Sequence, residues 1–71
     1  MKKYLVILEE SGNGIGAYIP DLPGCAVVGK TKAEAIQLIN EASQLHIKAI
    51  LEEKQKIPEP KTFTDFVEFP L

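Results

Sequence analysis

The chain contains a single cysteine, Cys25, which rules out an internal disulfide, and a single histidine, His46. Those two residues alone cannot build a four-ligand zinc site. Arginine is absent altogether, which removes the side chain best suited to gripping phosphates through paired hydrogen bonds. A net charge of −2 likewise lacks the basic excess of a stand-alone nucleic-acid binder. No apolar run approaches the roughly 20 residues that cross a bilayer. The apolar stretch Tyr4–Leu8 behind Met1-Lys2-Lys3 is too short for a signal-peptide core and runs straight into Glu9-Glu10. The expectation is a cytoplasmic protein with no cofactor, no metal, no membrane partner and no direct nucleic-acid contact, its lone thiol suited to a reducing compartment.

What remains is a chain of 71 residues, 45% hydrophobic and 25% charged, an ordinary balance for one small folded domain. A core of this size seldom supplies more than about 3–5 kcal/mol of net stability. With disulfide and metal both excluded, self-association is the remaining support. A homo-oligomer is therefore expected, a dimer being the commonest form.

Residues 3–9 are rich in β-branched and aromatic side chains and predict a first strand, apolar on both faces as a central strand would be. Ser11-Gly12-Asn13-Gly14 then supplies a hairpin signal in its Asn-Gly step. A second strand is predicted over Ile15–Ile19. Pro20-Asp21-Leu22-Pro23-Gly24 interrupts it, with Pro23-Gly24 suited to the centre of a type II turn. Cys25–Val28 reads as a short third strand. Thr31-Lys32-Ala33-Glu34 is a capping box, and a helix follows to about Lys54. Its apolar face carries Ala35, Leu38, Ile39, Ala42, Leu45, Ala49 and Ile50. Ile57-Pro58-Glu59-Pro60 ends it, and the alternation in Thr62–Phe69 predicts a fourth strand.

The order β-β-β-α-β makes this an α+β domain. Short links set the first three strands as an antiparallel meander, and the helical link is a right-handed crossover. The fourth strand is expected beside the first, parallel to it, in sheet order 3-2-1-4. One helix covers one face of such a sheet. The other face is left open, which is the physical reason to expect a partner.

Taken together, these pieces resemble the HicB family of antitoxins. The resemblance rests on Tyr4-Leu5-Val6, on Ala17-Tyr18-Ile19-Pro20-Asp21-Leu22-Pro23-Gly24-Cys25, on Gly29-Lys30-Thr31, on Glu34-Ala35 and Glu41-Ala42, and on Ile57-Pro58-Glu59-Pro60. It spans nearly the whole chain and implies a partial RNase H-like fold. It also implies a partner, a small basic RNase toxin of the HicA type that the antitoxin masks. Longer members carry a C-terminal DNA-binding domain, whereas residues 1–71 are expected to be the antitoxin domain alone. The alternative is an orphan interaction or regulatory module of the same fold, self-associating and without a toxin.

Several residues invite chemistry and are better read otherwise. Cys25 at a strand start reads as a small core residue. His46 on the apolar helical face reads as a structural histidine. The strand-borne acids Glu9, Glu10, Asp65 and Glu68 do not form the converging set a metal nuclease needs. Gly12-x-Gly14-x-Gly16 opens no helix and is not a phosphate cradle. No enzymatic activity is expected. The candidate partner-binding residues are Asp21, the acidic row Glu34, Glu41 and Glu52, and the aromatics Tyr18 and Phe66.

Overall fold

In the computed structural model, which describes residues 1–71, Pro20 decides where the sheet begins. Strand β1 (Ile7–Ser11) pairs antiparallel with β2 (Gly14–Tyr18), Ile7 lying opposite Tyr18. Continued outward, this register would set Leu5 against Pro20, which has no N–H to donate. Tyr4–Val6 therefore precedes the ladder, whereas the sequence predicts a strand from residue 3. At the other end the register closes on Ser11 opposite Gly14, around a two-residue Gly12-Asn13 loop. The Asn-Gly step is not its centre, and of the two residues only Gly14 takes a positive φ, 142°.

Strand β3 (Ala26–Gly29) pairs antiparallel with β2, giving the order β1-β2-β3. The first strand is thus an edge, whereas its two apolar faces and the order 3-2-1-4 predict an interior strand; β2 is interior as expected. The link between β2 and β3 is knitted by successive backbone bonds: Leu22 N–H donates to Ile19 O at 3.0 Å, and Cys25 N–H to Leu22 O at 3.1 Å. Gly24 in the second of these turns has φ 86°, the type II geometry that Pro23-Gly24 predicts.

Helix α1 (Lys32–Glu52) starts at Thr31, whose Oγ1 accepts from the Glu34 N–H at 3.1 Å. Glu34 completes the box one residue further out than usual, its carboxylate accepting from the Lys30 N–H at 2.8 Å. The helix ends in a Schellman motif. Gln55 N–H reaches Ile50 O, Lys54 N–H reaches Leu51 O, and Lys54 takes the left-handed position with φ 56°.

The core is small: Ala17, Ile19 and Leu22 from β2 and the loop after it, Cys25 beside them, and Ala35 and Ile39 from the helix. Leu22 and Ile39 are its largest fully buried side chains, each worth about 1.5–3 kcal/mol of transfer free energy. Both buried helical residues lie in the first half of α1. A helix of 21 residues is about 31 Å long and the strands reach only about 17 Å, so the second half overhangs the sheet. Leu45 and Ala49, expected on the buried face, are consequently exposed.

The predicted fourth strand does not form. Thr62–Phe69 has no strand partner, so the order 3-2-1-4 is not realised and the sheet stops at β1. The chain just upstream is already engaged. Pro58 and Pro60 lack N–H groups, and those of Lys61 and Thr62 are taken by the Asp21 carboxylate at 3.0 and 2.9 Å. The segment is thereby pinned across the entrance to β1, with the Tyr4 hydroxyl donating to Pro58 O and Lys2 paired with Glu59. Residues 61–71 are exposed throughout. The Cα radius of gyration, 14.0 Å, exceeds the roughly 11 Å of a compact chain this long.

Candidate protein interface

Strand parity sorts the sheet into a covered and an open face. Leu8, Ala17 and Val27 are register partners on the helix side, where Ala17 is buried. Ile7, Tyr18 and Ala26 are register partners on the other side, joined by Gly16 and Val28 one pair along. No element covers this second face. Tyr18 there is 38% exposed and Val28 62%. The patch is small and largely apolar around an aromatic hydroxyl, with the exposed Glu9 opposite Gly16 at its margin.

A second apolar surface lies on the helix side. Because α1 packs chiefly against β3 and β2, it leaves a gap beside the Tyr4–Val6 segment that leads into β1. Tyr4 and Val6 form one wall of this groove, Ile36 and Ile47 the other, and Leu22 and Ile39 its floor, around a volume of about 520 Å³. A strand on the far side of β1 would extend that wall, and none is present.

The candidate residues do not form one cluster. Glu34, Glu41 and Glu52 are exposed and fall within about 20° of one another at 100° per residue. They make a true row, but Glu34 is already committed to the helix cap. Phe66 is 92% exposed on the tail, away from Tyr18's sheet face. Asp21 is 7% exposed, and its carboxylate is occupied by Lys61 and Thr62. The hydrogen bond from the Thr62 hydroxyl, followed by those from the backbone, holds Asp21 below the usual carboxylate range. Sequence reasoning missed Phe63, Val67 and Phe69 as contact candidates, although they too are largely exposed and share the strand-like alternation of Phe66. It also missed the groove, which has no local sequence signal.

The side chains that could carry chemistry lie apart from one another. Cys25 is buried and unpaired, and burial pushes its thiol above the ordinary range, which makes it less nucleophilic. His46 packs near the Gly24 turn. Glu9 and Glu10 sit toward the hairpin end of β1, and Asp21 lies beyond its opposite end. No group of three or more His, Cys, Asp or Glu residues converges on a point where a metal could sit. No helix is long and apolar enough to cross a membrane.

Comparison with known proteins gives a consistent picture. The family profile described as "HicB_like antitoxin of bacterial toxin-antitoxin system" matches residues 4–70. A UPF0150 protein of Synechocystis is 45% identical over 56 residues, covering 78% of this chain and 71% of the relative. A UPF0150 protein of Thermoplasma acidophilum is 40% identical over 57 residues, covering 79% and 83%. An uncharacterized protein of Haemophilus phage HP1 is 30% identical over 67 residues; the match takes in 94% of this chain but half, 50%, of the phage protein's length. Among solved structures, a chain from a HicA3 and HicB3 toxin-antitoxin complex superposes with a TM-score of 0.70 at 32% identity, covering 83% of this chain and 70% of that one.

Proposed function

Because the chain belongs to the HicB-like antitoxin family, we propose that it binds a small basic RNase toxin of the HicA type in the cytoplasm and masks it without making or breaking bonds. The observation that carries this reading is the likeness, at 32% identity, to a chain of a toxin–antitoxin complex. The surface suits the role. The open sheet face around Tyr18 offers a flat apolar seat, and Glu41 and Glu52 offer a negative helix flank to a basic partner. The domain needs no bound group of its own to act in this way, because occlusion requires only shape and charge.

The test is direct. The chain is mixed at increasing ratios with a purified HicA-type toxin, and RNA cleavage is followed. Cleavage should fall to zero at a fixed stoichiometry. Tyr18→Ala should weaken the complex about tenfold or more, the loss typical of an interface anchor. Glu41→Lys with Glu52→Lys should slow association, and the deficit should shrink as salt is added. A toxin that cleaves at full rate in the presence of excess antitoxin overturns the proposal.

A further inference from the structure

The tail and the β1 edge are two unsatisfied halves of one arrangement. Phe63, Phe66, Val67 and Phe69 are between 70% and 92% exposed, an unusual density of bare apolar side chains in seven residues. Strand β1 is the open edge next to the apolar groove, and edges of this kind accept an added strand. We propose that residues 63–69 of one copy of the chain add antiparallel to the β1 edge of a second copy, reciprocally, closing a two-fold dimer.

The register follows from parity. With Val67 opposite Val6, Phe69 falls opposite Tyr4, and both tail side chains enter the groove wall on the helix side. Phe66 then falls opposite Ile7 on the other face, beside Tyr18. Glu68 is diagonal to the exposed Lys3, and Asp65 comes opposite Leu8, at a recess lined by Lys32 together with Glu9 and Glu10. Both apolar faces of the tail thus acquire apolar partners, and Glu68 acquires a cation.

Within one chain the same strand cannot run this way. Asp21 pins Thr62 near the entrance to β1, so an intrachain strand would start there and run parallel, carrying Glu68 toward Glu9. A two-fold axis that sets the two β1 strands antiparallel brings the partner's tail in from the other end. Three phenylalanines and a valine from each chain would bury roughly 1,100–1,700 Å². That clears the roughly 1,000 Å² expected of a specific interface. This dimer does not rest on toxin masking, although Phe66 would border the Tyr18 seat, so sedimentation without toxin and RNA cleavage with it test the two separately.

The experiment is sedimentation of the full chain at micromolar concentration, with helical circular dichroism as the folding control. The wild type should be a dimer. Val67→Lys, at a position exposed in the single chain, should give a monomer with unchanged helix. Lys3→Glu and Glu68→Lys should each raise the dissociation constant several-fold, and the double variant should bring it back. Isotope-filtered spectra of a mixed dimer should connect the Phe66 ring of one copy to the Ile7 methyls of the other. A monomeric wild type, a dimer indifferent to Val67→Lys, or a tail that orders only on adding toxin overturns the proposal.

Discussion

Asp21 and Thr62, 41 residues apart in sequence, are joined twice: Oδ2 accepts from the Thr62 N–H at 2.9 Å and Oδ1 from the Thr62 hydroxyl at 2.7 Å. Lys61 adds a third bond at 3.0 Å. This junction sets where the C-terminal segment leaves the body of the protein. It therefore controls what the exposed phenylalanines can reach.

The junction should open in acid. Asp21 is held below its ordinary value of 3.8 chiefly by the Thr62 hydroxyl and then by backbone N–H groups, all of which favour the charged form. A carboxylate with a depressed folded-state pKa stabilises above its unfolded pKa and loses that contribution as pH falls through the folded value. The Lys61 and Thr62 amide resonances should hold steady from neutral pH down to the ordinary carboxylate value of 3.8 and shift as pH falls further. Asp21→Asn should flatten that titration and speed amide exchange at both positions. Amide shifts that ignore both acid and the substitution would mean that Asp21 does not anchor the tail.

At the helix start, Thr31→Ala removes the acceptor for the Glu34 N–H and should cost about 0.5–2 kcal/mol. Glu34→Gln keeps an acceptor for the Lys30 N–H and should cost less. Urea midpoints for the two variants give the comparison, and an unchanged midpoint in Thr31→Ala would remove Thr31 from the cap.

The helix end makes the opposite prediction. Lys54 occupies a left-handed position, φ 56°, that glycine fills at less steric cost. Lys54→Gly should raise stability by up to about 1 kcal/mol, net of the added freedom of the unfolded chain. A loss of stability on this change would show that the Lys54 side chain contributes more than its backbone strain costs.

What could be read from the sequence was what local chemistry decides. The capping box at Thr31 and Glu34, the type II turn at Pro23-Gly24 and the antiparallel meander are each set within a few residues, and each is present. Pro20 was equally visible, but its effect falls on Leu5 across the hairpin, so it can be read only once the register is known. The alternation in Thr62–Phe69 describes a segment able to be a strand; whether it becomes one depends on a neighbour, which is a property of pairing and not of pattern. Leu45 and Ala49 lie on a periodic apolar face, yet burial also requires sheet beneath them, and the strands are too short. The candidate site was legible only in part for the same reason. Tyr18 and Phe66 are exposed aromatics, whereas Asp21 turned out to be engaged by residues forty positions away.

Gly29, at the end of β3, lies tightly against the first turn of α1. A Cβ added at Gly29 would lie 2.6 Å from Ala35 N, 2.9 Å from Ala35 Cα and 3.1 Å from Glu34 C. All three are backbone atoms of a capped helix, so no side chain can rotate away to make room. The helix would have to lift, and Ala35, which is fully buried, would lose its packing. Gly29→Ala should therefore destabilise the domain by about 1–3 kcal/mol, as overpacking of a tight core does. For a domain of this size each kcal/mol lowers the melting temperature by roughly 4–8 °C. Gly12 provides the control, because its added Cβ would meet nothing within 4 Å and its φ is not positive. Gly12→Ala should be neutral or gain up to about 1 kcal/mol. Equal melting temperatures for the two variants would mean that β3 and the helix start are not in close contact, and the packing that forms the groove beside β1 would have to be redrawn.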